Sequence, residues 1–73
     1  MNFGEALDAL KTGFAVTRTG WNGPGQYLRM RSPSDHSDMT LPYIYIRTVQ
    51  GGKVPWLASQ TDLLANDWAL DDG

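Results

Sequence analysis

Two opposite instructions meet within Val54-Pro55-Trp56-Leu57-Ala58-Ser59-Gln60-Thr61-Asp62. Pro55 has no N–H to give a sheet, so a strand that contains it must lie at an edge or be ending. Ser59 and Asp62 have the spacing of a helix capping box. A strand therefore stops here and a helix starts. Trp56 stands at the junction, a flat ring beside a helix start whose unpaired N–H groups carry partial positive charge. A flat, anionic small molecule would find a stacking surface and an anion site within a few residues. The plainer alternative makes Trp56 a core ring and Ser59 and Asp62 caps only, and residue types alone leave both readings open.

The rest of the chain supplies the partners for that junction. Asn2 and Glu5 form a second capping-box pair, and Phe3, Ala6, Leu7 and Leu10 make one apolar stripe on a helix that Gly13 stops. Alternation over 14–18 predicts a strand, followed by Thr19-Gly20-Trp21-Asn22-Gly23-Pro24-Gly25, a tight turn. Trp21 on that turn must pack on its own chain, on another subunit or on a ligand, because a solvated indole there exposes too much apolar area. Residues 26–31 read as a second strand, with Leu28 and Met30 on one face and Tyr27, Arg29 and Arg31 on the other. Residues 32–40 are polar and rich in breakers, hence a loop. Residues 41–49 form the clearest strand, with Tyr43, Tyr45 and Arg47 alternating with Ile44, Ile46 and Thr48.

Gly51-Gly52 is a two-residue hairpin signal that returns the chain to Val54. Beyond Ser59, the run through Ala65 predicts a helix of about two to three turns. Trp68-Ala69-Leu70 then predicts a short strand with Trp68 and Leu70 inward. The expected fold is α+β: one domain over 1–73, a small antiparallel sheet with an N-terminal helix and a short second helix. The tyrosine face is too apolar to stay wet, so a homo-oligomer is expected.

Composition narrows the function. A domain of 73 residues buries only about 60% of its unfolded surface, and with no cysteine neither disulfides nor a thiolate metal cage supplement the core. A formal charge of −2 and the absence of a Lys/Arg run argue against a grip on long nucleic acid, though not against a single nucleotide. Arg18, Arg29, Arg31 and Arg47 fall on the presumed sheet and make it locally positive, whereas Asp62, Asp67, Asp71 and Asp72 follow the last basic residue, Lys53. No apolar run approaches a membrane span, and the N-terminus lacks signal-peptide order, so an intracellular protein is expected. His36 with Asp35 and Asp38 on one loop lacks a second element to complete a metal site. No nucleophile with an orienting partner stands out, so binding without turnover is the expected class and no cofactor is expected.

Asn2-Phe3-Gly4-Glu5-Ala6-Leu7, then Gly20-Trp21-Asn22-Gly23, then Val54-Pro55-Trp56-x-x-Ser59-Gln60-x-Asp62-Leu63-Leu64-Ala65-x-Asp67-Trp68 together resemble the Thoeris anti-defense family of the second type. The resemblance runs nearly end to end. It implies a phage or prophage protein that assembles as a homotetramer in the cytoplasm of the infected bacterium. There it would act as a sponge, sequestering the cyclic ADP-ribose isomers that Thoeris sensors make from NAD without cleaving them. Some members of the family also hold cyclic oligonucleotides at separate sites; because segment 32–40 is shorter than in many relatives, no such site is inferred here.

Carried onto this sequence, the resemblance marks Gly20, Trp21, Asn22, Trp56, Ser59 and Asp62 as pocket residues. Trp21 or Trp56 would stack on adenine. The turn amides, the second helix start and Arg18 would hold pyrophosphate, and Asn22 and Asp62 would bond ribose hydroxyls or the base edge. Two other classes stand beside this reading: an inhibitor of a host enzyme docking through the tyrosine face, and a small hydrolase using a carboxylate such as Asp62.

Overall fold

Asn2 starts the first helix by a reciprocal exchange: its side-chain oxygen accepts from the Glu5 amide at 2.9 Å, and the Glu5 carboxylate accepts from the Asn2 amide at 3.0 Å. Helix α1 (Phe3–Lys11) closes at Thr12, and Gly13 turns the chain away with φ of 101°, a conformation that side-chain-bearing residues rarely adopt. The computed structural model describes residues 1–34 and 38–71. Asp35 and His36 of the metal reading, and Asp72 of the acidic tail, lie outside the described residues.

Five strands follow the alternation in the sequence: β1 (Val16–Arg18), β2 (Tyr27–Arg31), β3 (Tyr43–Arg47), β4 (Lys53–Pro55) and, after helix α2 (Gln60–Leu63), β5 (Trp68–Leu70). They form one antiparallel sheet in the order β4-β3-β2-β1-β5, the α+β arrangement expected. Pro55 lies on edge strand β4, where its missing N–H disturbs no ladder.

Register then decides which side chains share a face. Val16 opposite Leu28, Leu28 opposite Ile46 and Met30 opposite Ile44 put these residues on one face of the sheet, the face on which α1 packs. A nine-residue helix is marginal alone in water, and its stripe is secured by closing Ala6 and Leu10 onto Val16, Leu28 and Trp68. Because α1 packs over β5, β1 and β2, the β3–β4 side of this face stays uncovered. An open groove of about 500 Å³ remains there, walled by Phe3, Leu7, Met30, Ile44, Trp56 and Leu63. Segment 56–67 runs along this side and carries the chain from the β4 edge to the β5 edge.

Several expectations are corrected by the structure. Helix α2 is a single turn of four residues, capped at Leu64 rather than continuing through Ala65. Leu70 shares the face of Val16 and of buried Trp68 but is 44% exposed, as the last residue of edge strand β5. The hairpin signal resolves differently from a two-residue loop: Gly51 takes φ of 91°, while Gly52 pairs with Thr48, whose amide donates to the Gly52 carbonyl at 2.8 Å. Tyr45, expected on an open face, is buried, with the Lys53 ammonium 5.6 Å above its ring and Pro55 opposite it in register.

Candidate functional site

The last residue of β1 is Arg18, and its register partner is Trp68, so Asp67 arrives next to the guanidinium. Arg18 Nε donates to Asp67 Oδ1 at 2.7 Å and Nη2 to Asp67 Oδ2 at 3.3 Å. From the other side, Nη1 donates to Asp62 Oδ1 at 2.7 Å. Asp62 and Asp67 therefore do face a basic residue, one that sequence order places far from them. This corner carries two carboxylates against one guanidinium, so Arg18 adds no net positive charge to the sheet. Three of its roughly five N–H donors are taken.

The same two carboxylates shape the glycine-rich turn. Asp67 Oδ2 accepts from the Gly20 amide at 2.8 Å and from Thr19 Oγ1 at 3.4 Å. A Cβ on Gly20 would sit 2.7 Å from that oxygen, so only glycine lets the carboxylate reach the backbone. Asp62 Oδ1 accepts the Trp21 indole Nε1–H at 3.1 Å, fixing the ring in its plane. At the far end of the turn, Arg47 Nη1 donates to the Gly25 carbonyl at 2.7 Å and Gln26 Nε2 to the Gly23 carbonyl at 3.3 Å. Between these anchors, the amides of Asn22 and Gly23 have no partner among the described residues, and Asn22 is exposed.

Four aromatic rings stand behind the turn. Buried Trp68 is central, meeting Phe3 at 5.3 Å, Trp21 at 5.4 Å and Trp56 at 6.1 Å between centroids. Trp21 and Trp56 each present an edge contact to Trp68 and are half-buried, neither sealed in the core. Trp56 also lines the open groove. Ser59 caps α2 by accepting from the Asp62 amide at 3.1 Å. With that donor spent and the Asp62 carboxylate in the same turn, the start of α2 lacks the electrostatics of an anion site.

Residue by residue, the structure joins Arg18, Gly20, Trp21, Ser59 and Asp62 into one network, leaves Asn22 exposed beside it, and sets Trp56 on the groove. It adds Asp67, missed as a site residue because its partners lie 47 to 49 positions away. The available signal was its place just before a strand that has to pair with the strand ending at Arg18.

Arg18 holds the Asp67 carboxyl below the ordinary carboxylate range, against an opposing push from desolvation. At Asp62, burial is the largest influence and pushes the pKa up, but hydrogen bonds from Arg18, Trp21 and Ser59 together outweigh it and leave the carboxyl below its usual value. Arg18 is raised, chiefly by its hydrogen bonds to Asp67 and Asp62. A carboxylate depressed on folding stabilises above its unfolded value, about 4, and loses that contribution as pH falls through the folded one. Indole fluorescence and thermal stability should therefore hold from pH 7 to about 5 and decline below about 4 as the clamp protonates. A transition centred near neutrality would contradict this assignment.

Residues 1–70 match the model of the Tad2-like family, the Thoeris anti-defense 2-like domain. The chain belongs to that family. A curated relative named Thoeris anti-defense 2, from Bacillus phage SP01, is 40% identical over 84 residues, an alignment that covers 96% of this chain and 93% of the relative. The resemblance read from the glycine-rich turn and the long Val54-to-Trp68 motif is thus confirmed, and with it an anti-defense role. In this Tad2-like chain the two motifs meet: the turn supplies Gly20 and Trp21, and the later motif supplies Asp62 and Asp67, which hold them. Among the described residues, no helix is long and apolar enough to cross a membrane.

Proposed function

We propose that this Tad2-like protein is a sponge that binds a cyclic ADP-ribose-type signalling nucleotide of Thoeris immunity and keeps it intact. The reading is carried by the held turn: Trp21 has its indole N–H fixed by Asp62, and beside it the Asn22 and Gly23 amides have no partner among the described residues. Trp21 stacks on adenine, those amides meet the phosphates, and the Asn22 carboxamide bonds a ribose hydroxyl or the base edge. Arg18 and Asp62 shape the site, and what remains for a phosphate at Arg18 is its unspent N–H groups. Turnover plays no part, and the protein acts in the cytoplasm of the infected bacterium. Removal of the signal follows mass action: with affinity tighter than the signal concentration, each site withdraws one molecule.

A homotetramer with pockets between subunits is part of this proposal. In support, Leu57 and Leu64 are 93% and 78% exposed on the crossing segment, apolar area that a neighbouring copy would take out of water. A second indole reaching the ligand, Trp56 included, would then come from a neighbouring copy.

The test is retention. Purified protein mixed with a panel of cyclic ADP-ribose isomers is passed through a size filter; at least one isomer is expected to stay with the protein and to return unaltered after heat denaturation. A processed product would make the protein a hydrolase. Free passage of every isomer would favour the host-enzyme inhibitor, with Tyr43 rather than buried Tyr45 as the side chain to change.

A further inference from the structure

We infer that Asp67 is the positioning residue of the Gly20–Trp21 turn, the side chain that decides where the Trp21 indole stands. Its importance to binding rests on the sequestration reading above; its control of the turn does not. One carboxylate performs three tasks at a single corner. It accepts from the Gly20 amide, it accepts from Thr19 Oγ1, and it grips two nitrogens of Arg18. The guanidinium so aimed hands its remaining Nη1 to Asp62, and the same Asp62 oxygen takes the Trp21 indole N–H. Asp67 is thus connected to Trp21 by two routes, through the backbone at Gly20 and through the side-chain chain Arg18–Asp62.

The chain itself supports this division of labour. The Thr19 amide also donates to the Asp67 carbonyl at 3.2 Å, so the turn is registered on residue 67 by main chain and side chain alike. Gly20 leaves no room for a Cβ between backbone and carboxylate, a vacancy that matters only because the carboxylate is there. Asparagine at 67 would match the shape of aspartate but offer one acceptor oxygen where two are used. It could accept from Arg18 Nε or from the Gly20 amide, which use different oxygens of Asp67, and its NH2 would then face the other donor.

The experiment compares Asp67→Asn with Gly13→Ala, a control that strains a positive-φ site at the opposite end of β1 and destabilises without touching the turn. NMR follows the Gly20 amide and the indole N–H groups of Trp21 and Trp68. In Asp67→Asn the Gly20 and Trp21 hydrogens should exchange faster and shift, while the Trp68 indole, donating to the Asp62 carbonyl at 2.9 Å, stays protected. In Gly13→Ala all three should keep their wild-type positions. Affinity for the cyclic ADP-ribose isomer that the wild type retains best should fall by about tenfold or more in Asp67→Asn and stay unchanged in the control.

Unmoved Gly20 and Trp21 signals, or unchanged affinity, in a folded Asp67→Asn protein would overturn the inference. If the wild type retains no isomer, the sequestration reading fails, and the NMR comparison still decides whether Asp67 sets the turn.

Discussion

Replacement of Trp68 by alanine is expected to leave the chain largely unfolded at 25 °C. Trp68 is 2% exposed and is the ring that Phe3, Trp21 and Trp56 all meet. Truncating a buried tryptophan costs about 3–5 kcal/mol, and a domain of this size has a total stability near the low end of the usual 5–15 kcal/mol. The truncation also removes the donor to the Asp62 carbonyl and loosens the edge strand on which Asp67 rides. Trp68→Phe separates the two contributions. It keeps most of the ring but not the N–H, and should melt lower by roughly 4–8 °C for each kcal/mol lost while still folding. Far-UV circular dichroism and a thermal melt read both variants. A Trp68→Ala protein that melts near the wild-type temperature would show that the aromatic cluster is not what holds the helix to the sheet.

Position 68 also shows how much of the fold could be read from the sequence. Its inward orientation followed from local alternation, as did the central strands, while α1 followed from its cap and apolar stripe and the edge placement of β4 from Pro55, each depending on neighbours within a few residues. The length of α2 did not. Leu63-Leu64-Ala65 looks helical in isolation, yet the helix is capped at Leu64, and three residues later Asp67 is held at the other side of the sheet by Arg18 and the Gly20 amide, partners that no local pattern announces. Leu64, 78% exposed, lies where the helix has already ended. Tyr45 was misjudged for a related reason. Alternation assigns a face, but it says nothing of the Lys53 stem and Pro55 brought alongside by β4.

The candidate site divides along the same line. Gly20, Trp21 and Asn22 announce themselves as a turn with an aromatic residue where none is needed, and Ser59 with Asp62 as a cap. That the cap residue's carboxylate would leave its own helix to bind Trp21 and Arg18 depends on separations of 41 and 44 residues, which no local pattern encodes. The consequence is electrostatic. Arg18, read from sequence as a phosphate ligand, is largely committed to carboxylates, so under the proposed sponge reading a phosphate would turn to the amides of Asn22 and Gly23, which have no partner among the described residues, and to the part of Arg18 still free.

If Trp21 stacks on the purine, Trp21→Ala should lower affinity for the retained cyclic ADP-ribose isomer by about 10- to 100-fold, the equivalent of 1–3 kcal/mol for one base on one ring. The protein should remain folded, because Trp21 is only half-buried and gives Trp68 an edge contact at 5.4 Å, leaving Phe3 and Trp56 in place. Trp21→Phe refines the argument. Phenylalanine keeps a stacking face but cannot donate to Asp62 Oδ1, so its affinity should lie between wild type and alanine; the shortfall from wild type measures what the fixed ring plane contributes. Calorimetric titration of the three proteins, each first shown by circular dichroism to be folded, gives the series. Equal affinity in wild type and Trp21→Ala would remove Trp21 from the binding surface and leave Trp56, on the open groove, as the ring to test next.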